Sequence, residues 1–64
     1  MMINESDFIN QELKDIMVVD VDHIYFAFKG KHINVIAEDN HLILSLVDHE
    51  SKESNIINLG KKEV

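Results

Sequence analysis

Cysteine, arginine, proline and tryptophan are absent from these 64 residues, and glycine occurs only twice. Without cysteine there is no disulfide, no zinc-thiolate cluster and no thiol nucleophile, and a reducing compartment is the natural setting. Without proline, and with only Gly30 and Gly60, nothing reads as an interdomain linker. The length allows one domain, 1–64, near the lower limit at which a single core folds unaided. Residues 60–64 are a candidate disordered tail.

Long apolar runs are missing too. The longest, 24–28, has five residues, against the roughly 20 needed to cross a bilayer. The first seven residues lack a basic region followed by an apolar run, so no secretory signal is expected and the cytoplasm is the expected location. Basic charge is scarce: 6 Lys stand against 12 Asp and Glu, a net charge of −6 and a pI near 4.9. Such a chain repels bare phosphate backbones and anionic membranes, so neither nucleic acid nor a membrane is expected as a direct partner. Nine Ile, six Asn and six Lys without Arg fit the codon bias of an AT-rich genome, pointing to a low-GC bacterium or one of its phages.

What is present is patterned. After Asn4 or Ser6, either able to cap a helix, Ile9, Leu13, Ile16 and Met17 fall on the stripe of an amphipathic helix, predicted over 5–16. Farther on the spacing alternates. Gly30 can supply positive φ at the first central position of a two-residue turn, which sets Phe28 opposite Ile33, Phe26 opposite Val35 and Ile24 opposite Ala37. A second two-residue turn, Asp39-Asn40, sets Ala37 opposite Leu42, Val35 opposite Leu44 and Ile33 opposite Leu46. Both turns keep one face apolar, which a one-residue slip would destroy. They predict strands at about 23–29, 32–38 and 41–47. A fourth, at 55–59, has no specified partner. Val19 and Val21 are out of phase with Ile24, so a bend or bulge is expected near Asp22-His23.

The stretch Asp39-Asn40-His41-Leu42-Ile43-Leu44-Ser45-Leu46-Val47-Asp48, followed by Glu50, resembles the first motif of Sm-like RNA-binding proteins. The resemblance covers about 12 of the 64 residues and implies a ring-forming β-barrel. The family's RNA-contacting Asn is Ile43 here, and its Arg-Gly pair falls at Leu59-Gly60, so the resemblance carries a fold expectation and no RNA site. The predicted fold is therefore α+β, an N-terminal amphipathic helix on an antiparallel meander of three to four strands. A small Sm-like or SH3-like barrel is the alternative.

In the predicted register the second face of the sheet holds two groups of interest. His23, Glu38 and His41 form a cross-strand row whose imidazoles and carboxylate are acceptable ligands for Zn²⁺ or a related ion. The bland reading of the row is a solvated, hydrogen-bonded sheet end. Tyr25, Ile36, Ile43 and Val47, with His32 at the rim, make an apolar patch with a polar border, the composition of an interface core. The C-terminal apolar residues could instead cover it.

Catalysis is not expected. No serine lies in a nucleophile-elbow context, and Asp22-His23 and Asp48-His49 are strand neighbours whose side chains point to opposite faces. No cofactor is expected. The function these residues suggest is a small intracellular protein–protein interaction or regulatory module without catalysis, self-associating as a homodimer. The alternative is an acidic nucleic-acid mimic that inhibits a DNA- or RNA-binding protein.

Overall fold

Strand-forming residues dominate the chain's second half, and in the computed structural model, which describes residues 2–61, they dominate the first half as well. Five antiparallel strands follow one another: β1 (Leu13–Asp20), β2 (His23–Phe28), β3 (Lys31–Glu38), β4 (His41–Asp48) and β5 (Ser54–Lys61). They lie side by side in the order β1-β2-β3-β4-β5, a single meander. Among the described residues no helix is long and apolar enough to cross a membrane.

The amphipathic helix over 5–16 does not form, so the fold is not α+β. In its place stand one 3-10 turn, Glu5–Phe8, and then β1. Asn4 does cap that turn: its side chain accepts from the Ser6 amide at 3.0 Å, and the Asp7 carboxylate accepts from the Asn4 amide at 2.9 Å. The turn ends at Ile9, its extended C-cap, and Asn10 follows with a left-handed φ of 64°, incompatible with a continuing helix. Beyond it Ile16, Val18 and Val19 are β-branched, which favours a strand. The misleading helical spacing has a structural cause. The pairing of β1 with β2 shifts between Leu13 and Asp15. The bulge at Lys14 sets Leu13 and Ile16, three residues apart, opposite Phe28 and Phe26, which share one face. A second shift falls between Val18 and Asp20. Near Asp22-His23, where a bend or bulge was expected, the chain instead reverses through a turn at 21–22 that separates β1 from β2.

The two central reversals differ in how well the residues specify them. Asp39 and Asn40 both take positive φ, 50° and 65°, and pair Glu38 with His41, Ala37 with Leu42, Val35 with Leu44 and Ile33 with Leu46, as expected. At Gly30 the loop is Lys29-Gly30, one residue earlier than expected. Phe28 faces Lys31, Phe26 faces Ile33 and Ile24 faces Val35. Gly30 spends its φ of 72° at the second central position rather than the first. Because the register moves by an even step, every side chain keeps its face.

The fourth expected strand is β5, two residues longer toward Gly60 and Lys61, and its partner is β4. The expected tail therefore begins inside a strand, and its remainder, 62–64, lies outside the described residues. With β1 at one edge and β5 at the other, the described strands form an open sheet rather than a closed barrel.

Paired residues share a face, so the register reads out both sides. One side carries an apolar row across all five strands, Val18, Ile24, Val35, Leu44 and Ile57, flanked by the row Ile16, Phe26, Ile33, Leu46 and Asn55. One end of this face is covered by the N-terminal segment. The Phe8 ring meets Phe28 edge-on at 5.1 Å, and the Lys31 ammonium lies 5.9 Å over the Phe8 ring. Among the described residues only Leu46, 0 % exposed, and Ile3, 5 % exposed, are buried hydrophobics.

Candidate interaction surfaces

The opposite side carries the rows Met17, Tyr25, Asn34, Ser45, Ile56 and Asp15, Ala27, His32, Val47, Ser54. The five residues expected at an interface all fall on it and all are half-buried. Ile36 stands directly opposite Ile43, and His32 opposite Val47. The Tyr25 ring lies 4.9 Å from that of His32. The patch is interleaved with hydrogen-bonded polar groups, however. His23 Nε2 meets Asn34 Oδ1 at 2.7 Å, and His41 Nδ1 meets Asn58 Oδ1 at 3.2 Å. Because β5 extends the sheet instead of folding over it, Ile56, Ile57 and Leu59 do not cover this face.

The expected row of His23, Glu38 and His41 depended on the register at Gly30. With the loop one residue earlier, His23 faces Ile36 and not Glu38, while Glu38 and His41 remain opposite one another. Among the described residues no group of three or more His, Cys, Asp or Glu side chains is arranged to hold a metal ion.

A pairing that sequence spacing did not disclose joins His32 to His49, Nδ1 to Nε2, at 2.6 Å. His49 sits in the turn between β4 and β5, and the turn's own chemistry brings it back over the sheet. Asp48 Oδ1 accepts from the amides of Glu50 and Ser51 at 2.9 and 3.3 Å, Lys52 takes a left-handed φ of 63°, and the Asp48 amide donates to the Glu53 carbonyl at 2.9 Å. The His49 amide donates to the Gly30 carbonyl at 2.9 Å, fastening this turn to the β2–β3 turn. Desolvation, and secondarily the charge of His49, hold the His32 pKa below the usual value of 6.5.

The edge strand β1 is the other feature missed. All eight of its residues are exposed, among them four consecutive apolar ones, Ile16, Met17, Val18 and Val19. The signal was legible as a run of β-branched residues, but the helical stripe shared two of its members. Ile24 and Leu42 continue the exposed apolar surface across the face that the helix was expected to cover. No protein-family model, no curated protein and no solved structure matches the chain.

Proposed function

We propose that this chain is a small non-catalytic protein-interaction or regulatory module of the cytosol that acts as a homodimer. One observation carries the reading. Among the described residues two hydrophobic side chains are buried, while twelve large ones are exposed, with Leu13, Ile16, Met17, Val18 and Val19 clustered on one strand. A sheet with an apolar face needs a second layer or a neighbouring sheet to bury it, and here the N-terminal segment covers only one end of the face. A cystine-free chain of this size is marginal as a monomer, and association offsets that deficit. A second copy suits the role because it brings the same apolar surface and closes the pair by two-fold symmetry.

The reading is tested by sedimentation equilibrium and by urea unfolding across a dilution series. The expected result is a mass twice the monomer's 7.4 kDa and an unfolding midpoint that rises with protein concentration. Each copy carries −6, so added salt should tighten the dimer by screening the repulsion between copies. A mass of 7.4 kDa and a concentration-independent midpoint would overturn the proposal. So would capture of a basic nucleic-acid-binding protein by a monomeric chain, released by moderate salt, since that is the behaviour of a mimic.

A further inference from the structure

His49 carries two ties between the β4–β5 turn and the rest of the sheet. Its amide reaches the Gly30 carbonyl, and its Nε2 lies 2.6 Å from Nδ1 of His32. The other bonds of the turn are internal to it. Asp48 Oδ1 holds the amides of Glu50 and Ser51, Ser51 Oγ accepts from the Glu53 amide at 3.3 Å, and the Asp48 amide closes the base on the Glu53 carbonyl. Residues 49–52 thus form a unit hinged at Asp48 and Glu53, with His49 as the residue that fastens it down. Within the unit Lys52 is held at a left-handed φ of 63°, which for a residue with a side chain carries a backbone cost that release of the turn relieves.

Two ring nitrogens this close share one proton. When both imidazoles are charged, both nitrogens carry hydrogen and neither can accept, so the rings must part to take up the second proton. The groups around the pair can be named. Tyr25 of β2 lies against His32. Asp15 of β1 stands in the same row, beyond Ala27, its Oδ1 bonded to the Ile16 amide. β4 and β5 present Val47 and Ser54 in that row. Lys29 belongs to the β2–β3 turn, and Asp48, Glu50, Lys52 and Glu53 to the β4–β5 turn and its hinge. Histidine is the side chain whose ordinary titration falls between pH 5 and 7, so these neighbours form a background against which the two imidazoles change. We propose that His32 and His49 form a proton-released latch: closed, it holds the β4–β5 turn onto the second face of the sheet, and complete protonation lets the turn swing away, baring His32 between Tyr25 and Val47. The closed form keeps the His32 pKa below 6.5, through burial first and the charge of His49 second. The open form therefore binds the proton better. Between 6.5 and the depressed value, opening gains up to about tenfold for each pH unit of acidification. The residues bared belong to the surface expected at an interface, so acidification changes what that surface offers a partner.

Amide hydrogen exchange on the full chain at pH 7 and pH 5, corrected for the intrinsic rate at each pH, tests the latch. The His49 amide should lose about tenfold in protection on acidification, relative to the amides of Val35 and Leu44 in the paired centre of the sheet. His49→Phe, at an exposed position, keeps a ring and takes no proton, so protection at residue 49 should be the same at both pH values. His32→Phe removes the other proton site and should give the same result. The readout is local, so it holds whether the chain is one copy or two. A loss at residue 49 matched by equal losses at Val35 and Leu44 would show that acid loosens the whole sheet, and would overturn the latch. Unchanged protection in the unaltered chain, or an undiminished pH response in His49→Phe, would overturn it too.

Discussion

The imidazoles of His32 and His49 meet head-on. Their nitrogens are 2.6 Å apart and their ring centroids 4.9 Å apart. That is the span expected when both ring radii and the gap lie on one line. A metal chelated by two imidazoles sits at a vertex, with the nitrogens farther apart, so this geometry is that of a single proton held between two rings. One ring donates and the other must be a neutral acceptor.

The pair makes stability pH-dependent with a definite sign. The folded chain holds the His32 pKa below 6.5, so between that depressed value and 6.5 the unfolded chain binds more protons than the folded one. The pair's contribution is therefore complete above 6.5 and is lost as the pH falls from there through the depressed value. Urea midpoints should decline between pH 7 and 5. In an NMR titration His32 should protonate below 6.5, and His49→Ala should raise its midpoint without fully restoring it, because burial is the larger cause. A wild-type midpoint at or above 6.5 contradicts this account.

Leu46 is the one side chain with no exposed surface, between Ile33 and Asn55 on the apolar face. Leu46→Ala removes buried methyl groups and leaves a cavity, at a cost of about 2–5 kcal/mol. In a domain this small that approaches total stability, so near-complete loss of sheet circular dichroism at 37 °C is expected. Leu42→Ala, at an exposed site, should retain the sheet signal, and equal losses in the two would refute the assignment of the core.

The Asp39-Asn40 turn requires left-handed backbone at both positions. Asn40→Gly should be neutral or slightly stabilising, while Asn40→Val should cost roughly 1–2 kcal/mol, because a β-branched residue resists this conformation. At Gly30 no atom lies within 4 Å of where a Cβ would stand, so the loss in Gly30→Ala, about 1 kcal/mol, is backbone strain alone. Chemical denaturation of the three variants separates these terms. A cost above about 3 kcal/mol for Gly30→Ala would mean that packing is involved as well.

Phe8 ties the N-terminal segment to the sheet through the Phe28 ring, and the Lys31 ammonium adds a bond to the Asp7 carbonyl at 3.4 Å. Phe8→Ala should forfeit about 0.5–1.5 kcal/mol for the ring pair beyond the area it buries. Amides of residues 4–11 should then exchange more quickly with solvent while those of β3 and β4 stay protected. Unchanged exchange in the N-terminal segment would show that another contact holds it.

Local chemistry fixed what was legible early. Alternation kept Ile24, Phe26, Ile33, Val35, Leu44 and Leu46 on one face, because a period of two survives any even change of register. Asp39-Asn40 specified its turn because both side chains tolerate positive φ. Gly30 did not, since a single glycine serves either central position, and the choice between them decided whether His23 faced Glu38 or Ile36. Within the N-terminal stripe of Ile9, Leu13, Ile16 and Met17, a bulge at Lys14 puts Leu13 and Ile16 on one face and so imitates helical spacing. Met17 takes the other face and Ile9 precedes the strand, and a bulge depends on the neighbouring strand.

Residue order thus determined an acidic, cystine-free chain with one consistently apolar sheet face and one fully specified hairpin. Tertiary structure alone decided that β1 would occupy an edge, that β5 would lengthen the sheet instead of covering it, and that His49 would return to His32. Each of these depends on backbone hydrogen bonds between segments distant along the chain. Side-chain periodicity records which face a residue takes, but not which strand lies beside it.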